Sequence, residues 1–102
     1  MADQLRLGGR LFQGREQESL EMFEQALEQD PGYAWAHEGM ARALLRLDDI
    51  DRGLVAIQRL LELEPQYALA HGLHGGMLWL IAEYETATRE LEQAMELNPG
   101  IA

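Results

Sequence analysis

The residues in this chain able to do chemistry are few, and their spacing limits what each could do. His71 and His74 lie three apart, a spacing that puts two imidazoles on one side of a helix where a metal ion could meet them. No cysteine accompanies them and no third ligand stands near. Histidine packed between helices is the ordinary explanation, the more so because His37 and His71 share one phase of a repeat. The glycines of His71-Gly72-Leu73-His74-Gly75-Gly76 follow no strand, so a phosphate-cradling loop lacks its context. The absence of cysteine also excludes thiol nucleophiles and disulfides. A general acid or base would need a carboxylate held in a pocket with a perturbed pKa, and the abundant glutamates read instead as a solvated helix surface. Neither enzyme, cofactor nor metal is expected. Arg42 and Arg46 are one helical turn apart and could grip a carboxylate. Glu38, four residues before Arg42, offers that arginine an internal partner instead.

These residues are positioned by a repeat. Pro31, Pro65 and Pro99 stand 34 residues apart, and Pro31-Gly32-Tyr33-Ala34-Trp35-Ala36-His37 agrees with Pro65-Gln66-Tyr67-Ala68-Leu69-Ala70-His71 at five places. A fixed period of this size means a stacked array of like supersecondary units. Leu5, Leu7, Leu11 and Phe12 have helical spacing interrupted by Gly8 and Gly9, and Gly14 is expected to end that helix. A second helix starts near Glu16 and carries Leu20, Phe23, Ala26 and Leu27 on one stripe. After Pro31 the pattern predicts a helix from Ala34 to about Arg46, with His37, Met40, Ala41 and Leu44 inward. Asp48 and Asp49 then cap a partner bearing Ile50, Leu54, Ile57 and Leu61. The third unit comprises 68–81 and 84–97, and its glycine-free turn Ala82-Glu83 is expected to be the least regular. No apolar-polar alternation marks a strand. Three hairpins, six helices and one domain over 1–102 are predicted, with units near 1–33, 34–67 and 68–102.

Composition agrees. The chain has 102 residues, 47% of them hydrophobic, enough for a core and too many for disorder. The N-terminus lacks the apolar run of a signal peptide, and no stretch approaches the ~18 apolar residues of a membrane span, so a soluble, cytoplasmic protein is expected. A formal charge of −10 would repel nucleic acid.

The phase of these residues resembles three tetratricopeptide repeats covering essentially the whole chain. Gly75, Ala87, Leu91, Ala94 and Pro99 match the family's pattern in the third unit. Ala41, Gly53, Ile57 and Pro65 match in the second, where Leu60 replaces the usual alanine. Leu7-Gly8, Ser19, Phe23, Ala26 and Pro31 match in the first, with one residue missing before Gly14. Ser19 thus fills a slot for a small buried residue and is no nucleophile. His37 and His71 depart from the typical tryptophan, and His74 from a common leucine.

That resemblance implies a right-handed all-α solenoid acting as a protein-interaction module, which captures a peptide in the concave groove lined by the first helix of each hairpin. In the groove it places Arg6 from the first unit, Trp35, Glu38, Gly39, Arg42, Leu45 and Arg46 from the second, and Leu69, Gly72, Leu73, Gly76 and Trp79 from the third. The first helices carry Arg6, Arg10, Arg42 and Arg46 against Asp3 and Glu38, a balance of +2, while the rest of the chain sums to −12. A partner with acidic and apolar residues is therefore expected, with Trp35, Leu69, Leu73 and Trp79 as anchors and Gly72 and Gly76 as a smooth floor. The family's clamp for acidic chaperone tails needs lysines and asparagines, whereas this chain has no lysine and a single asparagine. Leu5, Gly9, Gly39, Leu69 and Leu73 stand where the clamp residues would be. The family also usually ends on a polar-faced helix, absent here, so Leu91, Met95 and Leu97 are expected to form an uncovered face for self-association. An assembling unit, or a piece of a longer array, is the alternative function.

Overall fold

Proline cannot continue a helix, since its ring clashes with the preceding turn and it lacks an N–H. Pro31 and Pro65 accordingly punctuate the fold. The computed structural model describes the backbone of residues 2–99 and the side chains of residues 14–99. It contains α1 (Ala2–Gln29), α2 (Ala34–Arg46), α3 (Ile50–Leu63), α4 (Ala68–Leu80) and α5 (Tyr84–Leu97), with no strand among the described residues. Helices α2 and α3 form one hairpin and α4 and α5 another, while α1 packs on α2 and α3 on α4. The result is an all-α stack in which each helix covers the next.

Five helices replace the six expected, because Gly14 does not stop the first. α1 runs through it for 28 residues, about twice the 13 or 14 residues of each later helix. A glycine inside a helix costs only about 1 kcal/mol relative to alanine and keeps its backbone hydrogen bond. The Gln13, Arg15, Glu16 and Gln17 around it favour helix, and no glycine among the described residues adopts positive φ. The first unit therefore supplies the C-terminal half of α1 as the partner of α2. Ser19, Phe23 and Ala26 lie on that half; Arg6 and the other side chains before Gly14 lie outside the described residues.

The two hairpin turns are alike, contrary to the expected irregularity of the second. Asp48 has φ 62° and Ala82 φ 65°, one repeat apart. In each turn that residue bonds to the carbonyl three back and its successor to the carbonyl five back, Asp49 N to Leu44 O at 2.8 Å and Glu83 N to Leu78 O at 2.9 Å. Ala82 accepts a left-handed backbone that costs an L-residue roughly 1 kcal/mol or more, and the packed helices on either side impose it. Asp49 caps α3 by accepting from Arg52 N at 3.4 Å.

The core runs through the middle of the stack. Leu44, Ile57, Leu60 and Met77 are fully buried, with Leu20, Ala41, Ala43, Ala56 and Ala70 packed among them. Each large side chain contributes about 1.5–3 kcal/mol by leaving water. The histidines of the repeat have a structural use. His37 Nε2 lies 2.9 Å from Pro31 O and His71 Nε2 2.8 Å from Pro65 O. A carbonyl only accepts, so each Nε2 donates and ties the start of a first helix to the turn before it. That bond stands where no side-chain cap serves Tyr33 or Tyr67.

Candidate functional site

Helices α2 and α4 bury one stripe against their neighbours and leave Trp35, Arg46, Gly76, Trp79 and Leu80 exposed. On α2 the uncovered part begins with Trp35, 59% exposed and held by rings on either side. Phe23 meets it edge-on with centroids 5.2 Å apart, and Tyr33 lies tilted at 5.9 Å. Glu38, one turn on, accepts a hydrogen bond from the Tyr67 hydroxyl across the repeat junction. That bond, ahead of burial and the carboxylate charge, raises the Tyr67 pKa above its usual 10.

Arg42 and Arg46 do not stand together as an unpaired grip. Arg42 Nε sits 4.0 Å from Glu38 Oε2, the internal pairing their spacing allows. Arg46 reaches back to α1, where its Nη1 bonds the nearly buried Glu16 at 3.2 Å. Gly39 faces α1 rather than a groove: a Cβ there would lie 2.3 Å from the Phe23 ring. The Phe23 ring fits only because residue 39 has no side chain.

On α4 the expected residues divide. Trp79 is 54% exposed and meets Tyr84 edge-on at 4.7 Å. Gly76 is open, with nothing within 4 Å of a Cβ built on it. Gly72 is half-buried and its Cβ position lies 3.9 Å from Ala94. Leu73 is partly buried against the core and Leu69 is half-buried, so both serve packing as well as surface. Gly75 is the close hairpin contact, under Leu91 and the Ala87 carbonyl.

His71 and His74 converge on Glu90 of α5. His71 Nδ1 lies 2.7 Å and His74 Nδ1 3.5 Å from Glu90 Oε2. Burial pulls the His71 pKa down, but the bonds to Glu90 and the Pro65 carbonyl and the Glu90 charge together outweigh it, leaving a net upward shift. No group of three or more metal-ligating side chains occurs among the described residues. At the far end of the stack Leu91 is 39% exposed, although Ile57, one repeat earlier, is fully buried beneath the next unit. Met95 is exposed as well, while Leu97 is half-buried.

The sequence reading did not anticipate that Tyr67 closes a depression of about 720 Å³ with Ala34, Trp35, Glu38, Leu60, Glu64, Pro65 and Gln66. A signal was available, since tyrosine recurs at 33 and 67 in the same phase.

A family model described as tetratricopeptide repeat matches residues 11–75. No curated protein sequence matches the chain significantly. Among solved structures, the first TPR domain of human RPAP3 superposes with a TM-score of 0.80 at 23% identity, covering 97% of this chain and 80% of that one. The first TPR of Spaghetti (RPAP3), bound to the HSP90 peptide SRMEEVD, gives 0.81 at 22% identity, with 93% and 77% covered. MamA from Desulfovibrio magneticus RS-1 gives 0.78 at 22% identity over 84% of this chain. The chain spans about half the length of the MamA structures it matches. At these identities the superpositions speak for the fold alone, but the family model covers well over half of the sequence, and this chain belongs to the tetratricopeptide repeat family.

Proposed function

We propose that this protein is a non-catalytic interaction module that holds an extended or short helical segment of a partner along the uncovered faces of α2 and α4. The observation that carries the reading is the pair of tryptophans, Trp35 and Trp79, each more than half exposed yet held by a second ring. Large aromatic side chains fixed in water are what interfaces use as anchors. Gly72 and Gly76 leave α4 low enough between them for another backbone to approach, and Leu69 borders that strip. Arg46 bonds Glu16 and Arg42 stands 4.0 Å from Glu38, so selection of an acidic group by two unpaired arginines is not carried forward. The chaperone peptide of the Spaghetti structure is not extended to this chain either, because Gly39, Leu69 and Leu73 offer no side-chain donors where that clamp would need them.

Peptide selection followed by titration tests the reading. Trp35→Ala and Trp79→Ala should each weaken a selected peptide about tenfold or more, the effect of losing a ~1.4 kcal/mol anchor. A folded double variant that keeps wild-type affinity would refute it.

A second reading, self-association through the last hairpin, is favoured by the exposure of Leu91 where Ile57 is covered. α1 and α5 are both rich in glutamate, so stacking one end on the other brings like charges together. Assembly of this kind should grow with salt as well as concentration. Light scattering that reads one chain mass throughout would exclude it.

A further inference from the structure

The depression between the start of α2 and the α3–α4 turn has aromatic walls and acidic ones. Trp35 and Tyr67 supply aromatic rings, and Glu38 and Glu64 supply carboxylates. Both ring positions are fixed, Trp35 by Phe23 and Tyr33, and Tyr67 by its hydroxyl bond to Glu38. No arginine or histidine among the described residues lines the cavity. Glu64 has no cationic partner among the described residues, and Arg42 approaches Glu38 only to 4.0 Å, beyond hydrogen-bond reach.

Ring faces carry negative charge density, and a carboxylate beside them adds to the same field. An anionic group entering here would meet Glu38 and Glu64 in a protein whose formal charge is −10, and an aliphatic one would leave Glu64 without a partner. We infer that this pocket receives a cationic side chain, arginine or lysine, of the bound partner segment. The guanidinium or ammonium lies against Trp35 and Tyr67 and within reach of Glu64, with Glu38 held in place by the tyrosine. The partner preference is thereby basic and aromatic-seeking, opposite in sign to the one that Arg42 and Arg46 suggest by spacing alone. Identifying the cation as part of a partner segment rests on the interaction-module reading; the affinity of the pocket for a cation does not.

The test uses two probes of one shape, tetramethylammonium and the neutral neopentyl alcohol, together with argininamide. A Trp79→Phe variant leaves Trp35 as the only indole, whose N–H resonance reports on the pocket. Saturable shifts are expected with both cations and none with the alcohol. Glu64→Gln, at an exposed site outside the core, should weaken the cations about threefold, and Trp35→Leu should remove a further two- to fivefold in argininamide competition. An equal response to the neutral probe, or no saturation with either cation, overturns the inference. Selected peptides then separate the two readings. If they bind through Trp35 and Trp79 but ignore replacement of their basic residues by norleucine, the pocket inference fails and the module stands. If the cations saturate the pocket while peptides do not bind, the module reading fails and the pocket stands.

Discussion

Gly75 and Gly76 are adjacent in α4, yet alanine should act on them with opposite sign. Replacing a helical glycine by alanine stabilises by about 1 kcal/mol, chiefly by restricting the unfolded chain. At Gly76 nothing opposes this, because the new methyl would have no neighbour within 4 Å. At Gly75 the methyl would lie 2.8 Å from Leu91 Cγ and 3.1 Å from the Ala87 carbonyl oxygen. The first of those contacts is shorter than real Cβ atoms tolerate, and the second is with backbone, so α5 must move as a body. Overpacking of this kind costs about 1–3 kcal/mol. With one side-chain and one backbone clash together, the middle of that range, about 2 kcal/mol, applies. Gly75→Ala should therefore lose about 1 kcal/mol net while Gly76→Ala gains about 1 kcal/mol, a separation near 2 kcal/mol. For a chain of this length each 1 kcal/mol moves Tm by roughly 4–8 °C, so melts of the two variants followed by circular dichroism should differ by about 10 °C or more. Equal shifts in one direction would refute the placement of Leu91 over Gly75, and with it the packing of the last hairpin.

Further expectations follow from the same geometry. Gly14→Ala should raise stability by about 1 kcal/mol, since its methyl also meets nothing within 4 Å and α1 continues through it; a loss would mean that the backbone at 14 needs glycine's freedom. Ile57→Ala should cost about 2–5 kcal/mol and Leu91→Ala distinctly less, because the first is fully buried and the second is not, and chemical denaturation compares them directly. His71 meets an acceptor at each ring nitrogen, and its folded pKa is raised. Its contribution to stability is thus fully present below the unfolded value near 6.5 and declines as pH rises through the folded one. The stability gap between wild type and His71→Gln should narrow as pH rises above about 6.5; a gap that widens would contradict the bond to Glu90.

Most of the stack was legible because proline and the repeat period speak with one voice. Pro31 and Pro65 forbid helix, and the apolar spacing between them has one period, so α2 to α5 fall where the pattern puts them. Gly14 misled because glycine only permits a turn, whereas proline enforces a break. The reverse error came at Ala82, where the absence of glycine suggested irregularity, but the neighbouring helices hold alanine in the same left-handed conformation as Asp48. Side-chain partners were less legible than helices. Arg42 with Glu38 is visible in spacing, since i and i+4 meet on any helix. Arg46 with Glu16 spans 30 positions, and Tyr67 with Glu38 spans 29, and no local rule announces either. Gly39 looked like groove surface until Phe23 was seen to occupy the space its side chain would take.

Those long-range pairs bear on how the site is held. Tyr67 is the N-cap residue of α4 and Glu38 lies in α2, while Trp35 leans on Phe23 of α1. The pocket is lined by α2, the end of α3 and the α3–α4 turn, and the neighbouring units act on it only through Phe23 behind Trp35 and through α4, which starts after Tyr67. In a linear array stability is a sum over neighbouring interfaces, so a change that separates α3 from α4 removes the Tyr67 wall while leaving both hairpins folded. Ligand seated between Trp35 and Tyr67 would in turn stabilise that junction by binding only the stacked form. Binding and stacking are then one equilibrium, and the side chains that bury Ile57 and Met77 control affinity without touching the ligand. A conservative truncation such as Ile57→Val, costing about 0.5–1.5 kcal/mol, should weaken argininamide binding at temperatures near the transition and leave it unchanged well below, where stacking is complete in either protein.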